Sequence, residues 1–230
     1  MRAGFPFEHS VPVELAKSEK WSVDRGSSMN APKDFPVVCV GGSAGGHDAY
    51  VTLVKHLPAD FGAAIVIVHH MRRGLTLLPQ ILSRSTKMPV VLITEGLPIQ
   101  PNHIFIIPSN YDLHILDGKF RLKSISKLKG WPNVITVFLR SLAQDWDGKI
   151  VAIIVSGMDG DGAEALSSIK EVGGITIAQI PDSAEWADMP EASIKTGNVD
   201  FVLSLEDIAQ KIVQIAQSFP GKAVSLPVRS

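Results

Sequence analysis

Read for apolar spacing alone, the first 35 or so residues show no sustained period. Glu8, Glu14, Lys17, Glu19, Lys20, Asp24 and Arg25 are scattered among prolines and glycines. Residues 1–35 are therefore read as a disordered extension outside the fold, with Met29 as an alternative start to Met1. From Pro36 onward the pattern alternates between short apolar runs and stretches with helical spacing. Val37 to Val40 reads as a first strand, followed by a glycine-rich turn and a helix carrying Ala49, Leu53, Val54 and Leu57. Ala63 to Val68 reads as a second strand. Its near-continuous β-branched character is what a strand covered on both faces requires, and it predicts a parallel sheet.

The same reading gives a helix at Leu75 to Ser83 and a strand at Val90 to Ile93. The apolar runs Ile104 to Ile107, Leu113 to Leu116 and Phe120 to Leu122 are broken by Pro108-Ser109-Asn110 and Asp117-Gly118, which predicts an antiparallel hairpin. A helix at Val134 to Gln144, a strand at Ile150 to Val155 and a helix at Ala163 to Glu171 come next. The strand Ile175 to Ala178, a short strand at Phe201 to Leu203 and a helix at Leu205 to Ala216 complete the pattern. Repeated strand-helix units predict an α/β fold, a three-layer, doubly wound and mostly parallel sheet with an antiparallel hairpin. One domain is expected over 36–217, with a tail at 218–230.

Composition narrows the function classes. Hydrophobic residues make up 45% of the 230 and charged ones 20%, an ordinary globular balance. With 22 basic against 23 acidic side chains and a formal net charge of −1, nothing marks a nucleic-acid or anionic-membrane surface. No apolar run approaches the roughly 20 residues that span a bilayer, and the N-terminus lacks a secretory apolar segment. The one cysteine, Cys39, lies inside a strand, so no internal disulfide forms and it reads as a small core residue. A cytoplasmic location is expected.

In a doubly wound sheet the reactive side chains lie just after the strands, at their carboxyl ends. Three loops qualify. The first, Gly41-Gly42-Ser43-Ala44-Gly45-Gly46, fits Gly-x-Ser-x-Gly in a strand-turn-helix setting, where Ser43 is a candidate nucleophile. A plain tight turn and a phosphate loop are the alternatives, the helix N-terminus being an anion site in itself. Ser43 stands where a dinucleotide loop has its second glycine, and no lysine completes a Walker pattern. The second loop, Val68-His69-His70-Met71, supplies histidines suited to deprotonating a serine, and adjacent residues point to opposite faces if the strand continues. The third, Ser156-Gly157-Met158-Asp159-Gly160-Asp161-Gly162, offers carboxylates to orient a histidine and amides to hold an oxyanion. Helix capping is the bland alternative for either aspartate. A calcium loop would need an oxygen ligand where Ala163 stands, so no metal is expected.

With these loops in view, residues from about Pro36 to Ala216 resemble the catalytic domain of the bacterial chemotaxis protein-glutamate methylesterases. The order Ser, His, Asp matches that family, whereas an α/β-hydrolase runs Ser, acid, His. The resemblance implies a triad of Ser43, His70 and Asp161, with the Met158 N–H in the oxyanion hole and no cofactor. Gly173-Gly174-Ile175-Thr176-Ile177-Ala178-Gln179, Met189-Pro190-Glu191-Ala192 and Gly197-Asn198-Val199-Asp200 are also similar to the family's text. It implies hydrolysis of glutamate γ-methyl esters, and deamidation of glutamine, on methylated chemoreceptor helices. A non-catalytic binding module on the same scaffold, or an esterase or amidase for an unrelated small substrate, remains the alternative. Against the family's pattern, Asp159 replaces a glycine and can raise the pKa of Asp161 or compete for the histidine. His69 stands where glutamine is common, Ala44 where threonine is, Arg72 where proline is, and Asp188 replaces a glycine. The family's receiver domain is not expected in the 35 residues before the esterase region. Arg72, Arg73 and Arg84, on or near the second loop, are candidates to face an acidic receptor helix, the alternative being that they are simply solvated exposed charges.

Overall fold

Strand parity organises the molecule. The computed structural model describes residues 34–70, 77–126, 132–146 and 149–218. Its first strand, β1 (Val37–Gly42), is followed by α1 (Gly46–Lys55), β2 (Ala64–His69), α2 (Leu78–Ser83), β3 (Val90–Leu92) and β4 (Ile104–Ile106). A hairpin of β5 (Tyr111–Leu116) and β6 (Lys119–Ser124) precedes α3 (Val134–Asp145) and β7 (Ile150–Ile154). A 3-10 turn at Ala163–Ala165 runs into α4 (Leu166–Glu171), and β8 (Ile175–Gln179), α5 (Asp188–Lys195), β9 (Phe201–Leu203) and α6 (Leu205–Ser218) complete the described chain.

Seven strands form one parallel sheet in the order β3-β4-β2-β1-β7-β8-β9, and β5 and β6 pair antiparallel beside it. Because successive side chains in a strand point to opposite faces, β1 and β2 each feed two cores. Val37 and Cys39 join Ala64, Val66 and Val68 under α3, α4 and the hairpin residues Leu113 and Phe120. Val38 and Val40 join Ile65 and Ile67 against α1, α2 and α6. Both faces being covered explains why these strands carry no polar alternation. The sheet, two helical layers and hairpin agree with the sequence reading.

Three differences have physical reasons. Ile104 to Ile106 is not part of the hairpin but pairs in parallel with both β2 and β3, a fully buried run that only an internal strand accommodates. The apolar spacing does not announce α5, because only Met189, Pro190 and Ser193 of its eight residues are buried. The stretch read as one helix from Ala163 begins as a 3-10 turn after Gly162, whose φ of 90° precludes an α-helical entry there. Phe35 already belongs to the packed body. Its ring lies 5.2 Å from that of Trp146, whose indole N–H donates to the Phe35 carbonyl at 3.2 Å. The extension at 1–33, the start of the helix read from Leu75, and the tail from 219 lie outside the described residues.

The chain leaves β1 outward through β2 to the edge strand β3, comes back to fill β4 between β3 and β2, and then crosses to β7, β8 and β9 on the other side. The direction of winding reverses between β1 and β7. In such sheets the crevice outside the carboxyl ends at this switch point is where ligands bind, and the Ser43 and Asp161 loops flank it.

Candidate active site

Parity also places the candidate triad. Register pairs Gly42 of β1 with His69 of β2, so Ser43 and His70 leave adjacent strands side by side. His69 continues the face of Ile65 and Ile67 and turns toward α1, where its ring lies 6.0 Å from that of His47 and 6.2 Å from that of Tyr50. It is 4% exposed, and burial, reinforced by the nearby His47 and His70, pushes it down to about 4. His69 is thus a neutral core histidine at neutral pH. His70 continues the opposite face and turns toward α3.

There it meets Asp161. The His70 Nε2 lies 2.8 Å from Asp161 Oδ2. The same oxygen accepts the Ile135 N–H at 2.9 Å and Oδ1 accepts the Thr136 N–H at 2.9 Å. Those amides belong to the first turn of α3, whose preceding Asn133 makes no side-chain cap. Asp161 therefore does from a distant loop what an N-cap side chain does locally, and the positive end of α3 faces its charge. The Gly162 N–H donates back to Thr136 Oγ1 at 2.9 Å. Capping and histidine orientation, alternatives in the sequence, are performed by one carboxylate.

Asp159 enters from the other side of the ring. Its Oδ2 lies 3.0 Å from His70 Nδ1, while its Oδ1 accepts the Asp161 N–H at 2.9 Å. The His70 side chain is 2% exposed, Asp161's 3% and Asp159's 20%. Burial disfavours the imidazolium, but the two carboxylates outweigh it and raise His70 to about 9. The ring is protonated at neutral pH in this arrangement. Among the described residues no hydrogen bond runs from Ser43 Oγ to either ring nitrogen, both of which face carboxylates.

The serine loop is held by backbone and by Ser156. The Ser43 N–H donates to the Ser156 carbonyl at 2.9 Å, and Gly45 turns through a φ of 72° into α1. A side chain on Gly45 would start 2.5 Å from Ser156 Oγ. That hydroxyl donates to the Ala44 carbonyl at 2.8 Å and accepts the Trp186 N–H at 3.0 Å, while the Ser156 N–H donates to Gln179 Oε1 at 3.0 Å. Gly157 lets the third loop close on Ser43, since a Cβ there would lie 3.1 Å from Ser43 Cβ and 1.8 Å from Met189 Sδ. Met158 follows, 49% exposed, and among the described residues no hydrogen bond consumes its N–H, which leaves it for an oxyanion. A cleft of about 500 Å³ opens beside the carboxylates, between Pro132, Thr136, Asp159, Gly160, Glu164 and Thr196.

Ser156, Gln179 and Thr136 support the site through these bonds, roles that the sequence does not disclose. Asp188 heads α5, and Met189 behind it is fully buried with its N–H donating to the Gly157 carbonyl. Met71, Arg72 and Arg73 lie outside the described residues. Arg84 does not belong to the site. It borders a cavity with Lys55 and Leu57 at the far end of α1, because α1 runs antiparallel to the sheet away from Ser43.

Among the described residues no helix is long and apolar enough to cross a membrane, and no cluster of three metal-ligating side chains occurs.

The family model described as CheB methylesterase matches residues 38–212. A Leptospira interrogans protein, provisionally named a protein-glutamate methylesterase/protein-glutamine glutaminase, is 33% identical over 187 residues, which cover 80% of this chain and 97% of that protein. Protein-glutamate methylesterase/protein-glutamine glutaminase 3 of Pseudomonas aeruginosa is 33% identical over 181 residues, 78% of this chain but only 54% of that longer relative. Among solved structures, the crystal structure of the Thermotoga maritima CheB methylesterase catalytic domain superposes with a TM-score of 0.74 at 29% identity, covering 79% of this chain and 98% of that one. The strand-end serine, histidine and aspartate, the fold that carries them and these likenesses agree: the chain belongs to the CheB methylesterase family.

Proposed function

We propose that this chain hydrolyses glutamate γ-methyl esters on the helices of methylated chemoreceptors, and deamidates glutamine there, with Ser43 as nucleophile, His70 as base and Asp161 as its orienting acid. The observation that carries the reading is the convergence, at the switch point, of Ser43 and His70 on adjacent strand ends with an Asp161 anchored to α3. Neutral His70 takes the Ser43 proton as Oγ attacks the ester carbonyl. The Met158 N–H and a neighbouring loop amide stabilise the tetrahedral oxyanion. The C–O bond to methanol breaks as His70 returns the proton to the leaving oxygen. A water deprotonated by the same histidine then cleaves the acyl-serine, leaving a glutamate carboxylate and restoring Ser43. With glutamine the leaving group is ammonia and the acyl intermediate is identical. No step calls for a metal or organic cofactor, and action on receptor helices fits a cytoplasmic enzyme.

Methanol release from membranes carrying methylated receptors tests this. Wild-type protein releases methanol and Ser43→Ala is slower by about 10³-fold or more, the usual scale for removing a triad member. Equal release by the two proteins excludes Ser43 as nucleophile. Release by neither, with a small ester still cleaved in a Ser43-dependent way, moves the substrate outside chemoreceptors.

A further inference from the structure

We propose that Tyr50 is a positioning residue of the reaction: its hydroxyl props the nucleophile loop from beneath, and its ring braces the strand end that carries the base, so that together they set Ser43 against His70. The proposal rests on the triad reading above and adds to it the side chain that fixes the height of the serine.

Ser43 follows Gly42 at the end of β1, and the chain enters α1 at Gly46. Tyr50 stands one turn further along α1, fully buried and packed with Val38, Val40 and Val155. A Cβ on Gly42 would lie 2.6 Å from the Tyr50 hydroxyl oxygen, and one on Gly46 would lie 3.0 Å from it and 3.1 Å from Tyr50 Cζ. A Cβ is one carbon–carbon bond, about 1.5 Å, from its Cα, so the oxygen rests against the backbone at both ends of the Ser43-Ala44-Gly45 turn. Ser156 ties the same turn to the third loop, its carbonyl accepting the Ser43 N–H at 2.9 Å and its hydroxyl donating to the Ala44 carbonyl at 2.8 Å. The Tyr50 ring meets the His69 ring edge-on at 6.2 Å, and Gly42 pairs with His69 across the sheet. One phenol therefore touches the residues that immediately precede Ser43 and His70.

Among the described residues the Tyr50 hydroxyl has no hydrogen-bond partner. Burying such a group costs stability. No charge offsets the cost either, because burial, with Cys39 nearby, pushes the phenol pKa up and keeps the group a neutral O–H. What the oxygen supplies is its volume under the loop. Removing it leaves a gap between Gly42 and Gly46 into which the turn can settle, and a small displacement of a nucleophile from its base lowers turnover. Stability and turnover then move in opposite directions, which the loss of a merely structural contact would not produce.

Tyr50→Phe removes the oxygen and keeps the ring against His69. Gly46→Ala instead adds a methyl that meets the oxygen, and the double variant seats that methyl in the vacated space. The kcat, KM and pH profile of Ser43-dependent ester hydrolysis, and thermal unfolding, are read on the full chain. Tyr50→Phe is expected to melt at or above the wild-type temperature, with kcat lower by about 5-fold or more, KM within about 2-fold, and the pH profile unshifted. Gly46→Ala alone lowers kcat by about 10-fold or more, and the double variant is faster than Gly46→Ala. A wild-type kcat in Tyr50→Phe overturns the proposal. So does a shifted pH limb, which would make the phenol a participant in proton transfer, and so does a double variant whose two losses simply multiply. Hydrolysis that is indifferent to Ser43→Ala removes the triad reading and this inference with it, whereas Ser43-dependent hydrolysis untouched by Tyr50→Phe removes this inference alone.

Discussion

Replacing Asp161 by asparagine separates its two duties and puts a magnitude on them. The asparagine side chain is isosteric, but one of its termini becomes a donor. With its oxygen in the place of Oδ2, which serves both Ile135 N–H and His70, the new NH₂ points at the Thr136 N–H, now 2.9 Å from a donor. A buried amide left without an acceptor costs about 1–3 kcal/mol, and losing the negative charge at the start of α3 adds about 0.3–1 kcal/mol. A total of roughly 1–4 kcal/mol lowers the Tm of a domain this size by roughly 3–15 °C. Turnover falls more steeply, by about 10³- to 10⁴-fold, because the imidazole loses the carboxylate that fixes its orientation and stabilises its charge from Nε2. Thermal unfolding by circular dichroism and Ser43-dependent ester hydrolysis, on the same preparations, read the two effects. If Asp161→Asn melts within about 2 °C of wild type, the α3 anchor is not what the hydrogen bonds imply; if it turns over at the wild-type rate, Asp161 does not orient the base.

Three further outcomes follow. Adjacent histidines shifted in opposite directions give a stability maximum near pH 6.5. His70, raised to about 9, contributes stability that is complete below its unfolded pKa near 6.5 and is lost as pH rises through 9; His69, lowered to about 4, contributes stability complete above 6.5 and lost as pH falls through 4. Each limb is worth on the order of 3 kcal/mol, urea titrations from pH 4 to 9.5 measure it, and a flat profile would refute the assignment. Gly157→Ala drives Met189 from its fully buried seat and presses on Ser43, so hydrolysis drops at least 10-fold, and Gly157→Ala/Met189→Ala recovers part of it in the same assay. Glu164→Ala, which removes the exposed 3.1 Å pair with Arg140, changes unfolding free energy by less than about 0.5 kcal/mol, and a larger loss would mean that the pair is not merely a solvated contact.

What the sequence reveals and what it hides divide along the range of the interactions. Strand parity is local, so the buried runs at Val37 and Ala64, the loops at their ends and the opposite facing of His69 and His70 were all readable from spacing. The order Ser43, His70, Asp161 then carried the family resemblance, and the match over residues 38–212 bears that out. The anchoring of Asp161 was not readable, because its partners Ile135 and Thr136 lie 26 and 25 residues away on a helix whose own cap position offers no clue. Competition by Asp159 for the histidine was one of two effects foreseen from its charge, and the ion-pair distance to Nδ1 selects it. Met189 looked like family text, yet its role is steric, filling the space that Gly157 leaves empty beneath Ser43. Arg84 was misplaced because a helix antiparallel to its strand carries the chain away from the crevice, a reversal that sequence distance conceals.

The central claim is that Ser43 is a nucleophile whose base is His70. Incubation with a fluorophosphonate ester, followed by peptide mass spectrometry, reads it directly, since such reagents react with a serine only when a base is poised to take its proton. The account predicts one phosphonyl group per chain, on the peptide carrying Ser43, formed faster at pH 9 than at pH 7 and abolished in His70→Gln. A folded protein that stays unlabelled at Ser43 across this range, or that labels equally without His70, would contradict it.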